Sequence, residues 1–422
     1  MGLASPLSPP AETRPTSVPP RRWGLGRLAP LVLVLWLTLD LVLRCLPDTW
    51  FDPHPLTLAT AHSGPHSYFT PNFEGVFRDW VGDAAREANL PASERRTTYH
   101  MSADSLGFRR NPFTSPTKPA DVLFLLGRSF LVGAALSDDE TLPAAFTRAS
   151  GLGAFNGAGS NSLEDLDWLL ERLPGRPWVA VLVLLEDDRG TIPAGGGPLP
   201  GRVGIHPALE PVAVALFERL NEAQWSLRQW WKVSPLETMA SRLIKSVSDD
   251  RILPNEGRVG GRQLRLPDGR SMLFRRYEVQ PAQAGRTDQD VERLAGYVEW
   301  WRDQLARRGM DSWVLLMPSR YTVYGPWLES GQAREGILRM EEYLNRLSRQ
   351  IRRRGIHTLN ALPIYRTSVE EEFETGELLF YREDNHWNAR GVELIARVLA
   401  DSLLSTRTSD RTTPKPPPPN QN

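Results

Sequence analysis

Apolar residues fall along this chain in two alternating rhythms. Three runs are apolar at nearly every position: Asp121–Gly127 (DVLFLLG), Trp178–Glu186 (WVAVLVLLE) and Asp311–Pro318 (DSWVLLMP). Unbroken runs of this length, rich in leucine and valine, are expected of parallel strands covered on both faces. Weaker runs at Gly153–Asn156 and Gly355–Leu359 read the same way. Between them lie stretches with helical spacing: DDETLPAAFTRAS, SLEDLDWLLERL with Leu163, Leu166, Leu169 and Leu170, DVERLAGYVEWWRDQLARRG, and LRMEEYLNRLSRQIRRRG. Strand then helix, repeated, predicts a doubly wound α/β sheet. In such sheets ligands sit beyond the carboxyl ends of the strands.

The first apolar run is of another kind. Leu28–Leu46 (LAPLVLVLWLTLDLVLRCL) would reach about 28 Å as a helix, close to the thickness of a bilayer's hydrocarbon core. Asp40 and Arg44 stand at i, i+4 toward its end, where they can pair or snorkel. Arg21, Arg22 and Arg27 precede it, so the positive-inside rule places the N-terminus in the cytoplasm and everything after Pro47 outside, periplasmic or extracellular. A cleaved signal peptide is the competing reading, disfavoured because no small-x-small site follows and Arg44 before Cys45 makes a poor lipobox.

The expected organisation follows. Residues 1–26 and 407–422, rich in proline and polar residues, are disordered tails. Residues 27–46 are a transmembrane signal anchor, 47–118 a turn-rich juxtamembrane lead-in, and 119–406 the α/β domain. An insertion at 190–286 breaks the alternation with GGGPLPGRVG, an aromatic helix-like NEAQWSLRQWWKV, and RLPDGRSMLFRR, whose Pro-Asp-Gly predicts a hairpin turn. Trp225, Trp230 and Trp231 there suit packing, or stacking on sugar rings.

Charge and cysteine content narrow the function. Fifty basic residues balance fifty acidic ones, which removes the cationic field of a general nucleic-acid binder. The single cysteine, Cys45, excludes an internal disulfide framework, and no Cys/His grouping has zinc-ligand spacing. No metal or cofactor is expected.

Two segments carry candidate chemistry. Ser129 follows the first continuous strand at a glycine turn (FLLGRSF), and Asp384 stands two residues before His386 at the mouth of a helix (DNHWN). A carboxylate so placed can hold one imidazole nitrogen while the other faces outward, as in a general base with its orienter. If both segments reach one sheet edge, they complete a triad in the order Ser, Asp, His. Asp384 has a competing role as helix cap, for which Asn385 or Asn388 is equally suited. The other histidines, His54, His62, His66, His100, His206 and His357, show no helical or ligand spacing and are expected on the surface or in loops.

The motifs SADSLGFRRNP, GRSF, DDETLP, FNGAGSNS, VLLMPSRYTVY and DNHWNARG are spread over Ala103–Leu404. Together they give a chain that resembles the SGNH-type hydrolases, in the branch of alginate O-acetyltransferases and other exopolysaccharide acetylation proteins. The resemblance implies a flavodoxin-like sheet, an acyl-serine intermediate and activity on acetyl esters of surface glycans. It implies Ser129 as nucleophile, His386 as general base and Asp384 as orienter. The amides of Ser129 and Gly159, or Gly157, would form the oxyanion hole. It also implies a membrane-bound O-acyltransferase as partner, supplying acyl groups from across the membrane.

Two positions depart from the family pattern. Arg128 stands where the family has aspartate, and Asp187 or Asp188 where it offers an asparagine to the oxyanion. A carboxylate facing developing negative charge has the wrong sign. The expectation is an ion pair between Arg128 and Asp187 or Asp188, with the guanidinium either donating to the oxyanion or plugging the pocket. Asn156 and Asn161 are candidates to replace the missing amide. Arg320 and Tyr321, after the third continuous strand, are candidates to bind a uronate carboxylate or sugar hydroxyls. The leading reading is a membrane-anchored acyltransferase or esterase acting on a surface polysaccharide. Its rivals are a glycan-binding scaffold that has lost the chemistry, and a hydrolase of lipids or small esters in the envelope.

Overall fold

The computed structural model describes residues 25–43, 69–81, 95–114, 119–160, 162–188, 236, 263–267, 269–275, 278–279, 285–328 and 331–412. In chain order its strands are β1 (Glu74–Val81), β2 (Arg95–Ser102), β3 (Val122–Leu126), β4 (Ala154–Gly157), β5 (Val179–Leu185), β6 (Gln263–Arg265), β7 (Ser271–Leu273), β8 (Asp311–Met317) and β9 (His357–Asn360). The helices used below are α1 (Leu25–Leu43), α2 (Arg128–Val132), α3 (Leu142–Ser150), α4 (Leu163–Arg172), α5 (Asp288–Arg307), α6 (Arg320–Tyr324), α7 (Gly331–Arg353), α8 (Ala361–Glu372) and α9 (Ala389–Thr412).

The three continuous apolar runs are β3, β5 and β8, and the two weaker ones are β4 and β9. They form one sheet in the order β4-β3-β5-β8-β9, with every neighbouring pair parallel. All of β3, and β5 as far as Leu184, is buried. That explains why these strands are apolar at every position rather than at alternate ones. Helices α5 and α7 pack together, as do α3 and α9. From β3 the chain steps outward to β4, then returns across to β5, β8 and β9. The order reverses between β3 and β5, and a ligand crevice is expected beyond their carboxyl ends.

Two antiparallel hairpins flank this sheet, β1 with β2 and β6 with β7. The second closes through a turn ending at Gly269 (φ 79°), at the Pro-Asp-Gly sequence. The amide of Leu273, at the end of β7, donates to the Arg382 carbonyl (3.0 Å), so the hairpin leans on the loop that carries His386. Trp225, Trp230 and Trp231 lie outside the described residues.

Two expectations at the ends fare differently from the sheet. The N-terminal apolar run is helical as α1, with Pro30 inside it. Among the described residues, however, no helix is long and apolar enough to cross a membrane, so the transmembrane reading of residues 28–46 finds no support in the structure. Asp40, within α1, is buried, and its carboxylate accepts from the Leu236 amide (3.3 Å). At the other end, α9 continues past residue 407 to Thr412, into the stretch expected to be a disordered tail. Arg407 lies over the Trp178 ring, 4.7 Å from its centroid, and holds that last turn to the domain.

Gly391, in the first turn of α9, sits where a Cβ would collide with the backbone carbonyl of Leu379. Leu379 opens the loop that carries Asp384 and His386. Gly391→Ala is therefore expected to lower the free energy of unfolding by about 1–3 kcal/mol, read as a shift in the urea midpoint. An unchanged midpoint would show that the helix and loop have room to part.

Candidate active site

Strand β3 ends in a strained turn. Leu126, Gly127 and Arg128 all have positive φ (64°, 71° and 47°), a region that costs a non-glycine residue roughly 1–2 kcal/mol. Only glycine fits the middle position, because a Cβ there would lie 2.6 Å from the Leu131 Cβ. The turn lifts Ser129 onto α2 at the carboxyl edge of the sheet. Strain of this kind, held by a buried strand on one side and a packed helix on the other, is characteristic of functional positions.

The second segment is a narrow loop. The Tyr381 amide donates to the His386 carbonyl (3.1 Å) and the Asn388 amide to the Leu379 carbonyl (3.0 Å). Asn388 caps α9, its side chain accepting from the Gly391 amide (3.0 Å) and donating to the Leu378 carbonyl (2.7 Å). Asp384 is thereby left for the histidine. One of its oxygens accepts from the His386 amide (2.8 Å) and lies 2.5 Å from His386 Nδ1. With Nδ1 donating its proton to Asp384, Nε2 is the acceptor, and it lies 2.7 Å from Ser129 Oγ. Asp384 and His386 are both buried. Phe130 packs on the imidazole (centroids 4.9 Å apart) and edge-to-face on Trp387 (5.6 Å), while Tyr381 Oη donates to the Ala135 carbonyl (3.0 Å). Loop and elbow are joined by more than the one hydrogen bond.

Beside Ser129 opens a cavity of about 270 Å³, walled by Arg128, Phe130, Glu186, Asp187, Glu278, Ser319 and Asn385 among others. Arg128 Nη2 lies 2.6 Å from Asp188 and Nη1 3.5 Å from Asp187. The arginine side chain is 59% exposed, so the pair adds at most about 1 kcal/mol of stability and chiefly balances charge at the cavity mouth. Burial pushes the Asp188 carboxyl up, an effect the Arg128 charge opposes. Asp188 also accepts from the Leu185 amide (2.9 Å), which makes it a cap on β5, whereas Asp187 faces the cavity.

The oxyanion candidates separate. Gly159 stands in the turn beyond β4 with φ 98°, and Gly157 is in register with Leu125 of β3, so both belong to the edge where Ser129 lies. Asn156 does not fill the place of the missing amide. It is buried, donates to the Leu131 carbonyl (2.9 Å), accepts from the Ala158 amide (3.1 Å) and is absent from the cavity wall. Its work is to fasten α2 to the end of β4. Asn161 lies outside the described residues.

Arg320 and Tyr321 are not ligand groups either. Arg320 is fully buried, with Nε and Nη2 on Glu278 (2.9 and 3.0 Å), Nη1 on the carbonyls of Tyr381 and Arg382 (2.9 Å each), and Nη2 also on the Leu273 carbonyl. All five of its N–H groups are engaged, leaving none for a uronate. Tyr321 is buried edge-on to Phe274 (5.2 Å). Both are enclosed because α6 starts directly after β8, capped by Ser319, beneath the β6–β7 hairpin.

Two groups at this edge escaped sequence reasoning. Glu186 lies at the end of β5 with only 4% of its surface exposed. Its Oε1 accepts from Thr322 Oγ1 (3.0 Å), and burial pushes its carboxyl up to about 7. The second is a buried clamp that joins SADSLGFRRNP to DDETLP. Arg109 Nε meets Asp138 (2.5 Å), Nη2 the Leu136 carbonyl (2.6 Å) and Nη1 the carbonyls of Val132 and Gly133 (3.3 Å each). Asp138 also accepts from Ser102 Oγ (2.6 Å) and lies 2.9 Å from His100 Nδ1, so His100 is part of this clamp and not a bystander. Among the described residues no cluster of His, Cys, Asp and Glu is placed to hold a metal ion.

A serine, a histidine and an aspartate stand in line at the edge of a five-stranded parallel sheet with one order reversal. Residues 271–416 match the family described as SGNH hydrolase-like domain, acetyltransferase AlgX, the branch to which the motifs pointed. The matched stretch is less than half of the chain. It contains Arg320, Asp384 and His386 and leaves Ser129 outside. No curated protein matches the chain.

Arg320→Leu is expected to destabilise the protein by about 3–5 kcal/mol, because Glu278 is left buried and unpaired. Urea denaturation checks this. A variant of unchanged stability that binds ligand more weakly would return Arg320 to the role of a binding residue.

Proposed function

We propose that this chain transfers or hydrolyses acyl groups, acetyl in the first instance, on a carbohydrate polymer through an acyl-serine intermediate. The observation that carries the reading is the 2.7 Å approach of Ser129 Oγ to His386 Nε2, between residues 257 positions apart. The family match to an acetyltransferase domain supports it.

In this scheme Ser129 Oγ bonds to the ester carbonyl carbon as its proton passes to His386 Nε2, and Asp384 stabilises the imidazolium. When the bond to the departing alcohol breaks, that proton goes to the alcohol oxygen, leaving acyl-Ser129. A glycan hydroxyl or water then gives its own proton to His386 Nε2 as its oxygen bonds to the acyl carbon; the acyl–Oγ bond breaks, and that proton passes to Ser129 Oγ, restoring the hydroxyl and the neutral imidazole. The amides of Ser129 and Gly159 are the proposed oxyanion donors, with Arg128 as a charged neighbour. In the transfer direction, acyl donors arrive through a membrane-bound O-acyltransferase.

A glycan-binding role without chemistry is the second reading. It is favoured by Asp187, whose carboxylate on the cavity wall opposes charge building on an oxyanion. Hydrolysis of p-nitrophenyl acetate separates the two. The first reading expects turnover that Ser129→Ala reduces to background and Asp384→Asn reduces by about 10³–10⁴-fold. Folded wild-type protein without turnover supports the second.

Membrane attachment through residues 28–46, with the α/β domain outside the cytoplasm, is a proposal that rests on the apolar run and the three arginines before it. Carbonate washing of membranes from expressing cells tests it. The full chain is expected to stay in the pellet and a chain starting at residue 54 to leave it. Release of the full chain into the wash would end the proposal.

A further inference from the structure

Among the described residues, the buried side-chain atoms without a hydrogen-bond partner include indole nitrogens, guanidinium nitrogens, the Ser160 hydroxyl and one carboxylate oxygen, Glu186 Oε2. Of these residues only Glu186 lines the cavity beside Ser129. Its position is fixed on all other sides. The Glu186 amide donates to the Met317 carbonyl (2.9 Å), its carbonyl accepts from Arg286 Nη2 (3.3 Å), and Oε1 accepts from Thr322 Oγ1 (3.0 Å).

The protonation of this carboxyl follows from its neighbours. Asp187 adjoins it, Asp188 caps the same strand end, and Glu278 lies across the cavity with its charge matched by Arg320. Arg128 is engaged with Asp187 and Asp188. Arg286 reaches Glu186 through the backbone carbonyl, Tyr343 on α7 is its electrostatic neighbour, and His386 stands across Ser129. Burial favours the neutral acid and outweighs the hydrogen bonding from Ser319 and Thr322, which favours the carboxylate; Asp187 adds to the effect of burial. A neutral carboxyl has one O–H to donate. Thr322 donates to Oε1 and the amide and hydroxyl of Ser319 lie close to the carboxyl, but among the described residues Oε2 makes no hydrogen bond of its own, so the proton belongs there.

We propose that Glu186 is a substrate-binding residue of this cavity, its protonated Oε2 donating a hydrogen bond to an uncharged oxygen, ester or hydroxyl, of an acylated sugar seated against Ser129. A buried donor of this kind is satisfied by water or by a ligand oxygen that displaces it. A neutral sugar suits the cavity better than a uronate, because Arg128, the cation on its wall, is already engaged by Asp187 and Asp188. Once Glu186 ionises, the donor is lost and a second repulsive charge appears, so binding weakens as pH rises through about 7. The inference deepens the acyl-transfer reading and rests on it for the identity of the ligand.

The test uses equilibrium binding of glucose pentaacetate, followed by NMR, to the full chain carrying Ser129→Ala, so that turnover plays no part. Affinity is expected to fall about five- to tenfold between pH 6 and pH 8.5, the worth of one hydrogen bond. With Glu186→Gln added, the amide donates at either pH and affinity should hold at the pH 6 value. With Glu186→Leu added, binding should be weak at both. Circular dichroism melts establish that each variant is folded, and the near-isosteric glutamine keeps the comparison meaningful if the leucine variant does not fold. His386 is common to all of these proteins, so a difference between them reports on Glu186. Binding that ignores pH, a glutamine variant that keeps the alkaline loss, or no binding at pH 6 would each overturn the proposal. Failure of the acyl-transfer reading shows instead as absent turnover of p-nitrophenyl acetate by the wild-type chain.

Discussion

Two buried guanidiniums hold the carboxyl edge of the sheet together, and the decisive one is Arg320. From the first turn after β8 it reaches Glu278, the end of β7 and the carbonyls of Tyr381 and Arg382. A loop far along the chain is thereby fixed against the sheet, and Asp384 and His386 ride on that loop. Arg109 does the corresponding work on the other side, gathering Asp138 and the carbonyls that follow α2. Arginine suits both places because its planar fork offers five donors from one side chain. The charge in each case is matched by a buried carboxylate, without which its desolvation would be prohibitive.

The clamps make the strained elbow tenable. Positive φ at Leu126 and Arg128 is unfavourable in isolation, yet β3 is buried throughout and Phe130, Leu131 and Val132 are buried on α2. Packing on both sides leaves the turn no relaxed alternative. The result is a serine hydroxyl directed at an imidazole whose other nitrogen is already committed. Reversal of strand order between β3 and β5 then sets Glu186 and Asp187 beside that hydroxyl, so the acidic wall of the cavity is a consequence of topology.

How much of this could be read from the chain follows from the kind of signal each part leaves. Strands buried on both faces are apolar at every position, so β3, β5 and β8 stand out, and with them the place where Ser129 must lie. The spacing of Asp384 and His386 is local and equally legible. Arg320 is not: an arginine opening a helix after a strand looks the same whether it faces water or is enclosed by a distant hairpin. Asn156 reads as a free amide until its bond to Leu131 is seen. Glu186 reads as the first polar residue after an apolar run, and only the burial supplied by α6 makes it a candidate acid. Asn388, one of three candidates for the cap of α9 beside Asp384 and Asn385, is identified by its bond to Gly391.

The meeting of the elbow with the C-terminal loop is tested most directly by a crystal structure of the chain after reaction with a fluorophosphonate. A covalent bond from phosphorus to Ser129 Oγ, with His386 Nε2 within hydrogen-bonding distance of the adduct, is the expected result. An unmodified Ser129, or an imidazole turned away from it and from Asp384, would contradict the assignment.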